Sequence, residues 1–128
     1  MARINIQVGD EEFHATLDEK GAPETVQKIL KALPIQAGAN TWGEEIYFEI
    51  PVRMGEENAV ETVSVGDLGY LPEGHCFCNI YGKTPITVSE DRVKPASAVN
   101  PIGRIENPAA LKKHKRGETV RITLAEES

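Results

Sequence analysis

Apolar and polar residues alternate in short runs along most of this chain, a period that predicts strands rather than helices. Over residues 3–8, Ile4, Ile6 and Val8 share one face; Gly9 and Asp10 turn the chain; Phe13, Ala15 and Leu17 then alternate with Glu12, His14 and Thr16. This is an opening hairpin, with His14 on its polar face. Residues 44–50 repeat the pattern, with Ile46, Phe48 and Ile50 opposite Glu45, Tyr47 and Glu49, and residues 59–65 give a further strand. A second hairpin spans residues 66–85. Its arms are the apolar run 68–71 and the alternating run 75–81, joined by Pro72, Glu73 and Gly74. Proline fixes φ and glycine frees it, which suits a tight turn. In the second arm Cys76, Cys78 and Ile80 are expected to face the core, and His75, Phe77, Asn79 and Tyr81 to face outward as the wall of a shallow pocket. Short strands follow at 86–88, at 98–105 with an interruption at Pro101, and at the closing run of Val120, Ile122 and Leu124.

Two segments carry the helical period instead. Over residues 21–33, Val26, Ile29, Leu30 and Leu33 form one apolar stripe, Pro23 suits the first turn and Pro34 stops the helix. Asn107 and Pro108 mark the start of a second, short helix over residues 109–116. About eight short strands and two helices predict a mainly β fold. Closure into a barrel removes exposed strand edges, with the first and last strands paired.

At 128 residues the chain is read as one domain, 1–128, large enough for a core without disulfides or metal. A net charge of −6 argues against nucleic acid as a partner, because phosphate affinity needs clustered Lys and Arg. The one basic cluster, Lys112 to Arg116, reads as a solvated helix end. Cys76 and Cys78 lie two apart on one strand, too far for an easy disulfide, and are read as reduced apolar residues. No spacing of His14, His75 and His114 against these cysteines makes a metal site, and no motif requires a cofactor. No apolar run is long enough for a membrane span, and residues 1–10 lack the core of a signal peptide, so the cytoplasm is the expected location.

Several stretches resemble the cyclophilin-type barrel. Ala22 to Val26 resembles the start of the first cyclophilin helix, and Ile102 to Ile105 followed by residues 107–113 resembles the strand and helix near the cyclophilin C-terminus. Asn40-Thr41-Trp42-Gly43-Glu44-Glu45-Ile46-Tyr47-Phe48 is similar to a motif of the small prokaryotic cyclophilin-like proteins. So are Gly66-Asp67 with Gly69-Tyr70, Tyr81 to Pro85, and Pro95 to Asn100. The resemblance covers nearly the whole chain. It implies a closed eight-stranded barrel with a helix near each open end, in a family whose activity is not established. Cyclophilins themselves isomerise X-Pro bonds with an arginine on a barrel strand that polarises the prolyl amide, beside an aromatic pocket for the proline ring. After the first helix this chain reads IQAGANTWGEEIYFEIPV and offers no arginine before Arg53. An efficient prolyl isomerase is therefore not expected.

The resemblance also implies a ligand groove on the outer wall. Glu45 and Tyr47 on one strand and Phe77, Asn79 and Tyr81 on another are expected to build it, as an aromatic floor with one carboxylate and one amide. Trp42, Glu44 and Asn100 complete the candidate set. Trp42 suits a barrel-end cap, Glu44 a carboxylate at that end held by Thr41 or backbone N–H groups, and Asn100 a loop or groove contact. The function expected is binding of a small ligand or an extended, proline-containing peptide. A weak prolyl isomerase is the first alternative. An enzyme acting on amide or carboxyl compounds, by fold analogy alone, is the second.

Overall fold

The computed structural model describes residues 2–87 and 92–125. Its strands are β1 (Ala2–Val8), β2 (Glu11–Leu17), β3 (Ile35–Gly38), β4 (Asn40–Thr41), β5 (Glu45–Glu49), β6 (Asp67–Leu71), β7 (Cys76–Ile80), β8 (Asn100–Ile105) and β9 (Thr119–Leu124). They form one antiparallel sheet in the order β3-β9-β1-β2-β8-β6-β7-β5-β4. The two outermost strands, β3 and β4, are consecutive in the chain and separated only by Ala39. One bent segment thus pairs with β9 through its first half and with β5 through its second, which closes the sheet into a barrel. Ala39 stays in the ladder, donating to Glu118 O at 2.8 Å and accepting from Gly117 N–H at 2.9 Å. Counted as one bent strand, β3 and β4 give the eight-stranded barrel that the resemblance implies, although the alternation does not mark residues 35–41 as a strand. β1 pairs with β9, so the first and last strands meet as expected.

Alternation places Ile4, Ile6, Phe13, Ala15, Leu17, Ile46, Phe48, Val120 and Ile122 inside, all 3% exposed or less. The helix α1 (Pro23–Ala32) lays Val26 and Ile29 onto this core, with Leu30 and Leu33 packed at its margin. No side chain of α1 caps its own N-terminus. The Glu57 carboxylate from the loop after β5 does so instead, accepting from Glu24 N–H (3.1 Å), Thr25 N–H (2.9 Å) and Thr25 Oγ1 (2.8 Å). Those donors have no intrahelical partner, and a carboxylate suits the positive end of the helix.

Four expectations need correction. Residues 59–65 do not form a strand. They run over the outside of the barrel, held by single bridges from Val60 to Val99 and from Val63 to Val93. Ile86 and Thr87 lie in a turn, and the third residue of that expected strand, Val88, lies outside the described residues. The second helix is a 3-10 turn, Pro108–Lys113, shorter than expected, and Asn107 precedes it in the left-handed region (φ 56°) without a side-chain capping bond. The faces of β7 are exchanged. Phe77 belongs to the barrel interior, where its ring stacks on Phe48 with centroids 5.4 Å apart, and Cys78 and Ile80 lie outside the barrel. They are buried there by the overlying segments, in a second cluster with Val63, Val93 and Val99.

Candidate functional site

Apart from Asn100, the residues singled out from the sequence lie on or beside the paired strands β5 and β7, but they are divided between the two faces of that wall. Phe77 (0% exposed), Asn79 (1%) and Tyr81 (7%) are buried and do not wall an outer pocket. Asn79 lies opposite Ile46 in the ladder and donates to its carbonyl at 3.5 Å, while its own Oδ1 has no hydrogen-bond partner. Tyr47 does face outward, half-buried against the cluster around Cys78 and Ile80. Glu45 also leaves the barrel interior, yet it is only 3% exposed, and its Oε1 accepts no hydrogen bond. Burial raises its carboxyl from 4.5 to about 7, and the Cys78 thiol offsets part of that rise. Trp42 is half-buried in the turn between β4 and β5, its backbone N–H donating to Glu45 O at 3.0 Å. Glu44 sits at a barrel end, accepting from Lys83 N–H at 3.3 Å and facing Lys112 Nζ at 3.6 Å.

Asn100 is fully buried and joins three segments. Its Oδ1 accepts Glu57 N–H at 2.9 Å, and its Nδ2 donates to Thr25 Oγ1 and to Gly55 O, each at 3.0 Å. Every hydrogen-bonding group of its amide is engaged within the protein, so it holds the loop that caps α1.

A concavity lies elsewhere on the outer wall, over the adjacent strands β2, β8 and β6. Its volume is about 550 Å³, within the range of ligand sites. Thr16, Pro101, Gly103 and Leu68 form its floor; Val60, Thr62 and Val63 overhang one side; Asp18 and Gly21 close the other. The floor is shallow because two glycines permit close backbone approach. A Cβ on Gly103 would lie 1.9 Å from Thr16 O, and one on Gly21 would lie 2.7 Å from Pro101 O. The ladder between β6 and β8 shifts here: Leu68 pairs with Gly103 and Gly69 with Pro101, leaving Ile102 as a bulge turned into the core. Such bulges redirect side chains at sites.

Two guanidiniums border this groove. Arg104 on β8 pairs with Asp67 on β6 and donates to Val65 O at 2.9 Å. Arg92 is held by the overhanging segment, with Nε to Thr62 Oγ1 (3.1 Å), Nη1 to Ser64 Oγ (3.0 Å) and Nη2 to Thr62 O (2.7 Å). Asp67 Oδ2 accepts Ser64 N–H at 2.8 Å, so Ser64 and Asp67 link the two arginines. Neither arginine figured among the sequence candidates. Arg104 directly follows Gly103 in the alternating run, and its register partner Asp67 is the signal that a search for cross-strand charge pairs would have found.

A family model described as cyclophilin-like matches residues 2–123. The chain belongs to the cyclophilin-like family. Among solved structures it is similar to the solution structure of the hypothetical protein AF2241 from Archaeoglobus fulgidus. The two share 44% identity at a TM-score of 0.81, over 97% of this chain and 95% of that one. No curated protein matches the chain. This cyclophilin-like barrel carries arginines beside its outer groove, although the segment after its first helix has none. Among the described residues no group of three His, Cys, Asp or Glu is arranged to hold a metal ion, and no helix is long and apolar enough to cross a membrane.

Proposed function

We propose that this cyclophilin-like protein is a binding module whose site is the outer-wall groove over β2, β8 and β6, and that it takes a small ligand or a short extended peptide. The observation that carries this reading is the groove itself. Glycine and proline backbone forms the floor, valine and threonine overhang it, and guanidiniums fixed by hydrogen bonds stand at its border. Apolar surface with a few oriented polar groups is what a small-molecule site requires. The Phe77, Asn79 and Tyr81 face is filled by the barrel core and offers no such surface.

One observation also favours prolyl isomerisation as a second reading. Arg104 is a guanidinium on a barrel strand beside the groove. A donor there would favour the twisted amide, whose formation faces a barrier of roughly 20 kcal/mol.

Calorimetric titration with short extended peptides, with and without proline, and with small apolar fragments tests the first reading. Binding is expected in the wild type and is expected to vanish in Val60→Trp, which fills the overhang. Binding that survives Val60→Trp, or no binding by any of these probes, contradicts it. A protease-free isomerisation assay on an X-Pro peptide tests the second reading, with Arg104→Ala expected to abolish any catalysis.

A further inference from the structure

The two arginines differ in what balances their charge. Arg104 is matched by the Asp67 carboxylate. Arg92 is fixed by three neutral oxygens, and among the described residues no carboxylate stands within ion-pair distance of it. In a chain of net charge −6, this guanidinium at the groove thus has no acid partner among the described residues. Of the five N–H donors of a guanidinium, Thr62 and Ser64 take three. The other two, one on each terminal nitrogen, have no acceptor among the described residues, and a carboxylate is the acceptor that makes charge-assisted bonds with such donors.

Resting on the groove as the binding site, we propose that Arg92 reads a single carboxylate on the ligand, whose apolar body lies along Val60, Pro101 and Gly103. The rest of the lining selects against larger anions. Asp67 is already matched by Arg104, and Asp18 adds a negative charge on the opposite wall, where its Oδ1 accepts Lys20 N–H at 2.9 Å. A polyphosphate would meet that carboxylate uncompensated. A monocarboxylic acid engages Arg92 and leaves Asp18 in water.

The test uses the ¹⁵N-labelled full chain, titrated with arylalkyl and N-acylamino carboxylic acids, each matched with its own primary amide, and with inorganic pyrophosphate. The acids are expected to shift the amides of Thr62, Leu68 and Gly103 and to bind about tenfold tighter than their amides, the scale of one charge-assisted contact. Arg92→Gln is expected to erase that difference while leaving amide binding in place. Val60→Trp, which keeps Arg92, is expected to remove binding of both. Acids and amides that bind the groove equally, or pyrophosphate that binds it more tightly than the acids, overturn the carboxylate assignment and leave the groove standing. Acid binding unchanged in Arg92→Gln overturns the role of Arg92. Silence of the groove amides toward every probe overturns both the assignment and the groove.

Discussion

His114 Nε2 lies 2.7 Å from Glu11 Oε1, and its Nδ1 faces the Glu118 carboxylate at 3.1 Å. The ring is 9% exposed and packs edge-on against Phe13. It ties the start of β2 to the loop before β9, beside the β1–β2 turn. Burial alone lowers the His114 pKa, but the hydrogen bonds to Glu11 and Glu118 outweigh it and the net direction is up from 6.5. A histidine whose folded pKa is raised stabilises the fold fully below its unfolded pKa, and the contribution disappears as pH rises through the folded value. Melting temperature is therefore expected to fall as pH rises above about 6.5, and His114→Gln is expected to remove that part of the slope. A slope identical in His114→Gln contradicts the assignment.

Glu45 contributes a slope of the same sign for a different reason. Its carboxyl is raised from 4.5 to about 7 because it is buried. The folded state holds a proton that the unfolded state releases, so stability declines between those two values. The shift of 7 − 4.5 = 2.5 corresponds to at most about 3 kcal/mol. Glu45→Gln is expected to be more stable than wild type at pH 8 and nearly equal to it at pH 4. Denaturant melts at the two pH values check this, and His114→Gln/Glu45→Gln separates the two contributions.

Asn100→Ala is expected to cost about 3 kcal/mol, because it removes the partner of Glu57 N–H and Gly55 O and leaves Thr25 Oγ1 with only its bond to Glu57. A drop of about 10 °C in Tm is the corresponding readout. The groove lies outside this joint, so ligand binding by the folded variant is expected to persist.

Phe77→Ala is expected to destabilise by about 4 kcal/mol, as truncation of a stacked core aromatic does, and not to act through ligand contact. A variant as stable as wild type would mean that Phe77 is not a core residue.

The barrel was legible because its strands alternate and its turns carry glycine and proline; β1, β2, β5 and β9 lie where the pattern puts them. The faces of β7 were not legible. Alternation identifies the core face only when the other face meets water, and β7 is covered on both sides, by Phe48 within and by Val63, Val93 and Val99 without. The alternation marks Cys78 and Ile80 as buried but does not distinguish the two sides of the wall. The groove was hidden for a related reason. Thr16, Arg92 and Gly103 come from distant parts of the chain, and Gly103 contributes by the absence of a side chain. Asn100, read from the sequence as a loop or groove contact, holds the loop that caps α1, and a buried amide reads the same in sequence whether it meets a ligand or a loop.

The most direct measurement is a backbone amide shift map of the ¹⁵N-labelled chain with a mixture of small apolar carboxylic acids and short peptides. The groove account predicts shifts concentrated at Thr16, Thr62, Leu68, Gly103 and Arg104, and their loss in Val60→Trp. Shifts centred on Glu45, Tyr47 and Asn79, or unchanged in Val60→Trp, would contradict it.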